Sequence, residues 1–282
     1  MNSQDKNPGE AGFAAALATA SESDDLLAVL RLIAERAGKI ILAYYAEGDA
    51  VEVAHKDDQS PVTAADEAAE DFIIEALATL TPDIPVIAEE AVAAGKVPEI
   101  GDGPFWLVDP LDGTKEFLTR NGEFTVNIAL IEGSQPVAGV VHAPAMAMTW
   151  AGACKAGETP RAIFANTDQP PMDIRCRETP AEGAVVVASR RHGSGAELDA
   201  FLAERKIGET VSAGSSLKFC LVATGRADLY PRLGRTMEWD TAAGNAVLRA
   251  AGGQVMTLDG KPLGYRKPGF ENPHFYAVGL TK

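Results

Sequence analysis

Cysteine is scarce in this chain: Cys154, Cys176 and Cys220 are the full complement, and none stands in a C-x-x-C pair. An odd count without that spacing argues against a disulfide framework and a zinc knuckle. Long hydrophobic runs are missing as well, so nothing in the sequence predicts a membrane-spanning helix. The opening residues, MNSQDKNPGEAGFAAALATASESDD, carry acids and polar groups where a secretory signal would need a basic start and an apolar centre. They read as a disordered leader over 1–24 of a cytoplasmic protein. Basic residues are in deficit too. Against 40 Asp and Glu stand 25 Lys and Arg, a formal net charge of −15, which sets the global field against DNA or RNA as a partner.

What the chain does have is apolar material, 46% of 282 residues, enough to bury a large core in one or two domains. It also has acids, and an acidic protein can take phosphates if it first gathers divalent cations, whose charge reverses the sign of the site. Leu26, Val29, Leu30, Ile33, Ala37, Ile40, Ile41 and Tyr44 recur at helical spacing. A second helix is expected over Ala64 to Leu80, capped by Thr63 and stopped before Pro82. Two short apolar runs follow, Val86 to Ala88 and Phe105 to Val108, and each delivers acids at its end. TVNIALIE and VAGVVHAP flank Gly-Ser-Gln-Pro and predict an antiparallel hairpin. The stretch from Ala156 to Pro180 is weakly patterned, and beyond it strands and helices alternate. This predicts an α+β domain followed by an α/β domain.

Asp109 and Asp112 bracket Pro110, and the turn could aim the Leu111 carbonyl at the same point while Gly113 lets the chain approach a ligand. Hard oxygen ligands of this kind suit magnesium. Thr114 would open a short helix whose free N–H groups can seat a phosphate. An ordinary strand-end Asp-Gly turn explains the same spacing. Glu89-Glu90 reads equally as a solvated loop, Asp240 as a helix cap, and Asp66 as the acidic member of a capping box with Thr63.

Taken in order, AEE, VDPLDGTKEF and EWDTAAGNAVLRAAGG resemble the inositol monophosphatase superfamily of magnesium-dependent, lithium-sensitive phosphatases. Within it, SPVTAAD, NGEFTVNIALI, SSLKFCLVATG and DGKPLGY are similar to the bacterial 3′(2′),5′-bisphosphate nucleotidases of sulfate assimilation. The likeness runs from about Leu26 to the C-terminus. It implies a layered αβαβα sandwich of the sugar-phosphatase type, with a metal-binding sub-domain over 25–155, a substrate sub-domain over 156–282 and the site between them.

The resemblance further implies two or three magnesium ions, inhibited by lithium, with Glu89, Asp109, the Leu111 carbonyl, Asp112 and Asp240 as ligands and Asp66 near an additional, weaker ion. Glu89, Asp112 and Thr114 become the catalytic set, with Glu89 and Thr114 orienting a water for direct in-line attack. Gly113 and Thr114 would hold the scissile phosphate. His192, Ser215, Lys218 and Arg232, with Asp240, would contact the nucleotide and its second phosphate. Lys218 as a solvated helix residue and Arg232 as a surface residue are the plain alternatives. The implied reaction takes adenosine 3′,5′-bisphosphate to AMP, with its sulfated relative as a further substrate. Inositol 1-phosphate and fructose 1,6-bisphosphate are the alternatives within the superfamily. A small-molecule nucleotide is the expected partner of a monomer or homodimer. Neither a basic amphipathic helix nor a lipidation motif supports the inner-membrane association of some relatives.

Overall fold

Helix α1 (Leu26–Glu47) forms where the apolar spacing predicts it, and Leu27, Leu30, Ile33, Ala34, Ala37 and Ile41 make its buried stripe. The computed structural model describes residues 13, 25–47, 53–55, 61–189 and 195–280. A short antiparallel pair, β1 (Val53–His55) and β2 (Pro61–Thr63), leads into α2 (Ala64–Leu80), with the bounds expected of it. Then come β3 (Val86–Ala88), α3 (Glu89–Ala93), β4 (Phe105–Asp112) and α4 (Thr114–Leu118). Glu89 and Glu90, which spacing alone read as a loop, therefore start a helix.

Strand β4 runs four residues past the Val108 end expected from Pro110. The proline is tolerated because the register with the next strand shifts between Asp109 and Asp112, a bulge where a missing N–H breaks no ladder pair. The expected hairpin is β5 (Thr125–Glu132) with β6 (Gln135–Ala143), followed by β7 (Met148–Ala153), β8 (Arg161–Asn166) and β9 (Met172–Asp173). These strands order as β3-β4-β5-β6-β7-β8-β9 in one sheet. That sheet extends to Asp173, past the 155/156 division read from sequence, because the weakly patterned stretch supplies its edge. Both residues of β9 are exposed, so they carry no alternation to read.

A second sheet is built from β10 (Ala184–Ala188), β11 (Ile207–Ser212), β12 (Leu229–Arg232), β13 (Gln254–Thr257) and β14 (Phe275–Val278), in the order β11-β10-β12-β14-β13. Its helices are α5 (Ala196–Ala203), α6 (Leu217–Ala223) and α7 (Trp239–Ala250). Strands β10, β11 and β12 pair in parallel, as the alternation implied, while β13 and β14 add an antiparallel edge. Two four-residue strands are too short to show a period.

Helices α1 and α2 cover one face of the seven-stranded sheet, and α7 packs on β5, β6 and β7. Helix α6 joins α7 and touches β10, β12 and β14, while Phe201 of α5 meets Tyr276 of β14 at 5.5 Å between ring centroids. The order is therefore helix, sheet, helix, sheet, helix: the αβαβα sandwich. Ten of the twelve residues of α7 are buried, as a helix held between two sheets requires. Its small residues let the sheet come close. A Cβ on Gly139 of β6 would stand 2.9 Å from Ala246 Cβ, and one on Gly152 of β7 would stand 2.8 Å from Val247 Cα. Among the described residues no helix is long and apolar enough to cross a membrane.

Candidate metal and phosphate site

Strands β3 and β4 are parallel, with Ala88 opposite Val108. The next residue of each is an acid, so the pairing alone brings Glu89 and Asp109 together at one sheet end. Asp240 reaches the same point from the first turn of α7. Carboxylate oxygens of Glu89, Asp109 and Asp240 lie within 4.8 Å of one another. Asp109 is buried, at 1% exposure. That burial, with the charges of Glu89, Asp112, Asp240 and Asp66 around it, pushes its carboxyl well above the usual range. Asp240 is pushed up in the same way, by loss of water and then by Asp112 and Glu89, while the Met237 N–H donating to it at 2.8 Å works in the opposite direction. Like charges gathered out of water are unfavourable until something positive joins them. Every donor is a hard oxygen, so the set fits magnesium.

Asp112 ends β4 and is held from several sides. The Ser216 hydroxyl lies 3.0 Å from its Oδ2, the Thr125 hydroxyl 3.4 Å and the Asn127 amide nitrogen 3.5 Å. Asn127 also donates to Ser216 Oγ at 3.0 Å, and that oxygen lies 2.9 Å from the Asp240 carbonyl. Ser216 thus ties the Asp112 turn to the start of α7. Leu111 buries its side chain at 1% exposure, which leaves only its backbone for a ligand, and its N–H donates to Asp109 Oδ1 at 3.1 Å. Gly113 caps α4 at φ 92°, in the left-handed region, and a Cβ there would lie 2.2 Å from Ser215 Oγ. Both facts demand glycine. Thr114 then opens α4, whose cap Gly113 brings no side-chain acceptor to the first N–H groups, the groups of a helix start that can meet an anion. Asp66 is buried in the first turn of α2, near enough to act on Asp109.

A cavity of about 170 Å³ continues from this point, lined by Asp112, Gly113, Ser215, Lys218, Arg232 and Asp240 among others. Lys218 is 4% exposed, so it is not the solvated helix residue its sequence allowed. Its ammonium donates to the Ala213 and Ser215 carbonyls and stands 5.3 Å over the Tyr230 ring. Burial lowers its pKa to about 8, and Arg232 adds to that effect while Asp112 opposes it. Arg232 is half-buried, with one terminal nitrogen on the Arg235 carbonyl at 3.1 Å and its Nε buried without a partner among the described residues. One cavity is therefore lined by carboxylates, Asp112 and Asp240 among them, and by the cations Lys218 and Arg232.

The structure brings Glu89, Asp109, Asp112, Asp240 and Asp66 together, and sets Gly113, Ser215, Lys218 and Arg232 around one cavity. The Ser215 hydroxyl is spent on the Asp112 and Glu123 carbonyls, at 2.9 and 2.6 Å, so it ties the 213–216 loop down. His192 lies outside the described residues. Sequence reasoning missed Thr125, Asn127 and Glu70 as individuals, and had Ser216 only within the segment 215–218 assigned to substrate. Thr125 and Asn127 are two apart in an otherwise apolar strand, so they share a face. Glu70 stands four residues after Asp66, on the same side of α2.

The inositol monophosphatase family model matches residues 22–277 of the chain. The chain is 49% identical to 3′(2′),5′-bisphosphate nucleotidase CysQ of Salmonella typhimurium over 245 residues, covering 86% of this chain and 95% of that protein. The CysQ nucleotidase of Buchnera aphidicola is 39% identical, over 88% of this chain and 91% of its own. The solved structure of CysQ from Bacteroides thetaiotaomicron superimposes with a TM-score of 0.71 at 36% identity, covering 89% of this chain and 95% of that one. An inositol monophosphatase from Anabaena gives a TM-score of 0.68 at 25% identity, with 91% of each chain covered. On its fold, its acidic cluster and these likenesses, the chain belongs to the inositol monophosphatase family.

Proposed function

We propose that this chain is a magnesium-dependent 3′(2′),5′-bisphosphate nucleotidase that removes the 3′-phosphate of adenosine 3′,5′-bisphosphate to leave AMP, and takes the sulfated relative by the same route. The observation that carries this reading is that one cavity is lined both by the carboxylates Asp112 and Asp240 and by the cations Lys218 and Arg232. A substrate with two phosphates suits such a cavity: one goes to the acids with their metal, the other to the cations. The relatives named as 3′(2′),5′-bisphosphate nucleotidases, at up to 49% identity, support the choice of substrate.

Glu89, Asp109, Asp112, Asp240 and the Leu111 carbonyl are the residues that would hold the ions, with Asp66 beside a further one. Magnesium bound there supplies Lewis-acid charge for the phosphoryl group and leaving oxygen and lowers the pKa of water. The chain's own part is positioning. Gly113 and Thr114 offer backbone donors at the start of α4 to the scissile phosphate. Glu89 and Thr114 orient a water in line with the bond to the ribose 3′-oxygen. Attack forms the new P–O bond as the old one breaks, and the water's proton ends on solvent or the departing oxygen. Ser215 keeps the loop in place, while Arg232 and Lys218 draw in the 5′-phosphate.

Phosphate release with magnesium from adenosine 3′,5′-bisphosphate, inositol 1-phosphate and fructose 1,6-bisphosphate, measured side by side, tests this. The nucleotide is the expected preferred substrate. Arg232→Ala should raise its KM roughly ten- to hundredfold, the loss of one charge-assisted hydrogen bond, and leave inositol 1-phosphate, which has no second phosphate, nearly unchanged. Preference for inositol 1-phosphate would overturn the substrate, and no release from any would overturn the activity.

A further inference from the structure

Helix α3 is five residues long, and none of them is buried. Its cap residue, Ala88, is extended and has no side-chain group to offer the free N–H groups of the first turn. A helix this short does not hold itself in water. Yet it carries Glu89, whose carboxylate must meet Asp109 and Asp240 within 4.8 Å. What secures its N-terminus comes from another element. Glu70 of α2 is buried at 4% exposure, and its two oxygens each take one N–H, Oε2 from Glu90 and Oε1 from Ala91, both at 2.7 Å. A bidentate carboxylate fixes both the position and the rotation of the turn it caps.

The choice of an acid here needs explaining. Glu70 is withdrawn from water close to Glu89 and Glu90, and both burial and those charges act against its ionised form. An apolar side chain would avoid that cost. A glutamine would fit the space, but it offers one acceptor and would turn an NH2 toward the second N–H. Only a carboxylate matches two donors on adjacent residues.

We propose that Glu70 is a positioning residue for the reaction: its bidentate cap on the Glu90 and Ala91 amides sets the direction in which Glu89 presents its carboxylate to the metal. The inference rests on the reading of Glu89 as a metal ligand and deepens it by naming the group that aims this ligand.

Glu70→Gln in the full chain tests it. The probe is manganese, titrated by calorimetry or by loss of its free-ion paramagnetic resonance signal without substrate, alongside kcat and KM for adenosine 3′,5′-bisphosphate. Metal affinity should fall roughly ten- to hundredfold, the scale for groups that orient a ligand. Activity should show the same shift in metal half-saturation with an unchanged nucleotide KM. Metal affinity within twofold of the parent in a folded variant overturns the proposal. Should the amide variant fail to fold, Glu70→Asp keeps both oxygens and shortens their reach. Weakened manganese binding with normal KM supports the proposal there too, and unchanged binding overturns it. Because the titration needs no substrate, a chain whose manganese affinity depends on Glu70 yet which releases no phosphate would sink the proposed activity and leave the aiming of Glu89 standing.

Discussion

His142 shows how one residue outside the site can govern behaviour in acid. It sits on β6 at 7% exposure, with Nδ1 3.1 Å from the Met148 carbonyl and 2.9 Å from the Thr149 hydroxyl. A carbonyl can only accept, so that nitrogen carries the proton. A Cβ on Gly38 of α1 would stand 2.6 Å from the ring, which leaves no space for water there. Burial lowers the imidazole pKa to about 4, against the smaller opposite effect of Glu35. The unfolded chain takes up this proton near the ordinary value of 6.5 and the folded chain near 4, so acid favours unfolding between those values. The stability His142 brings is complete above pH 6.5 and is lost as pH falls toward 4, by on the order of 3 kcal/mol. The Tm of His142→Gln should therefore fall less steeply than that of the parent between pH 6.5 and 4. Parallel curves for the two proteins would show that another group sets the acid limb.

Among the elements, α7 has the strictest place. Its Ala243, Ala246, Val247 and Ala250 lie against Gly139 and Gly152, and its first turn carries Asp240. Gly139→Ala would push a methyl to 2.9 Å from Ala246 Cβ and 3.0 Å from Ala243 Cα, where backbone must move. Overpacking of this kind costs about 1–3 kcal/mol, a Tm lower by roughly 2–10 °C in a chain of this size. Because Asp240 moves with the helix, magnesium affinity should fall as well. Gly103→Ala is the control. Nothing among the described residues lies within 4 Å of a Cβ there, so both its melting curve and its metal titration should match the parent. Loss of stability at Gly139 with full metal affinity would mean that the helix yields without carrying its first turn.

At the scale of the whole molecule the governing fact is unbalanced negative charge, −15 overall, with its worst concentration buried around Asp109. Asp109→Asn removes one buried like charge and should raise Tm in EDTA. In the parent, magnesium at a hundred times its dissociation constant should add about 2.7 kcal/mol by mass action; in the variant it should add little. Thermal melts with EDTA and with magnesium check both halves. A variant less stable than the parent in EDTA would show that Asp109 contributes more through its hydrogen bond from Leu111 than it loses to its neighbours.

The sequence by itself determined the helices α1 and α2, the β5–β6 hairpin, the family, and which acids to look for at one place, because long periodic runs and ordered motifs are local properties of a chain. Spacing alone allowed Asp66 as a cap, Glu89 and Glu90 as a loop and Lys218 as a solvated residue beside the site roles the resemblance implied, since each has an ordinary local role that fits equally well. Tertiary structure buried Lys218 and put Glu89 and Glu90 at the start of a helix. Parallel pairing of β3 with β4 sets Glu89 beside Asp109. The two sheets around α7 bring Asp240 and Ser216 to Asp112 from more than a hundred residues away. Glu70 gained its role only when α2 crossed the start of α3. A motif names the groups available for chemistry, but long-range pairing and burial decide which of them share a dielectric, a distance and a direction.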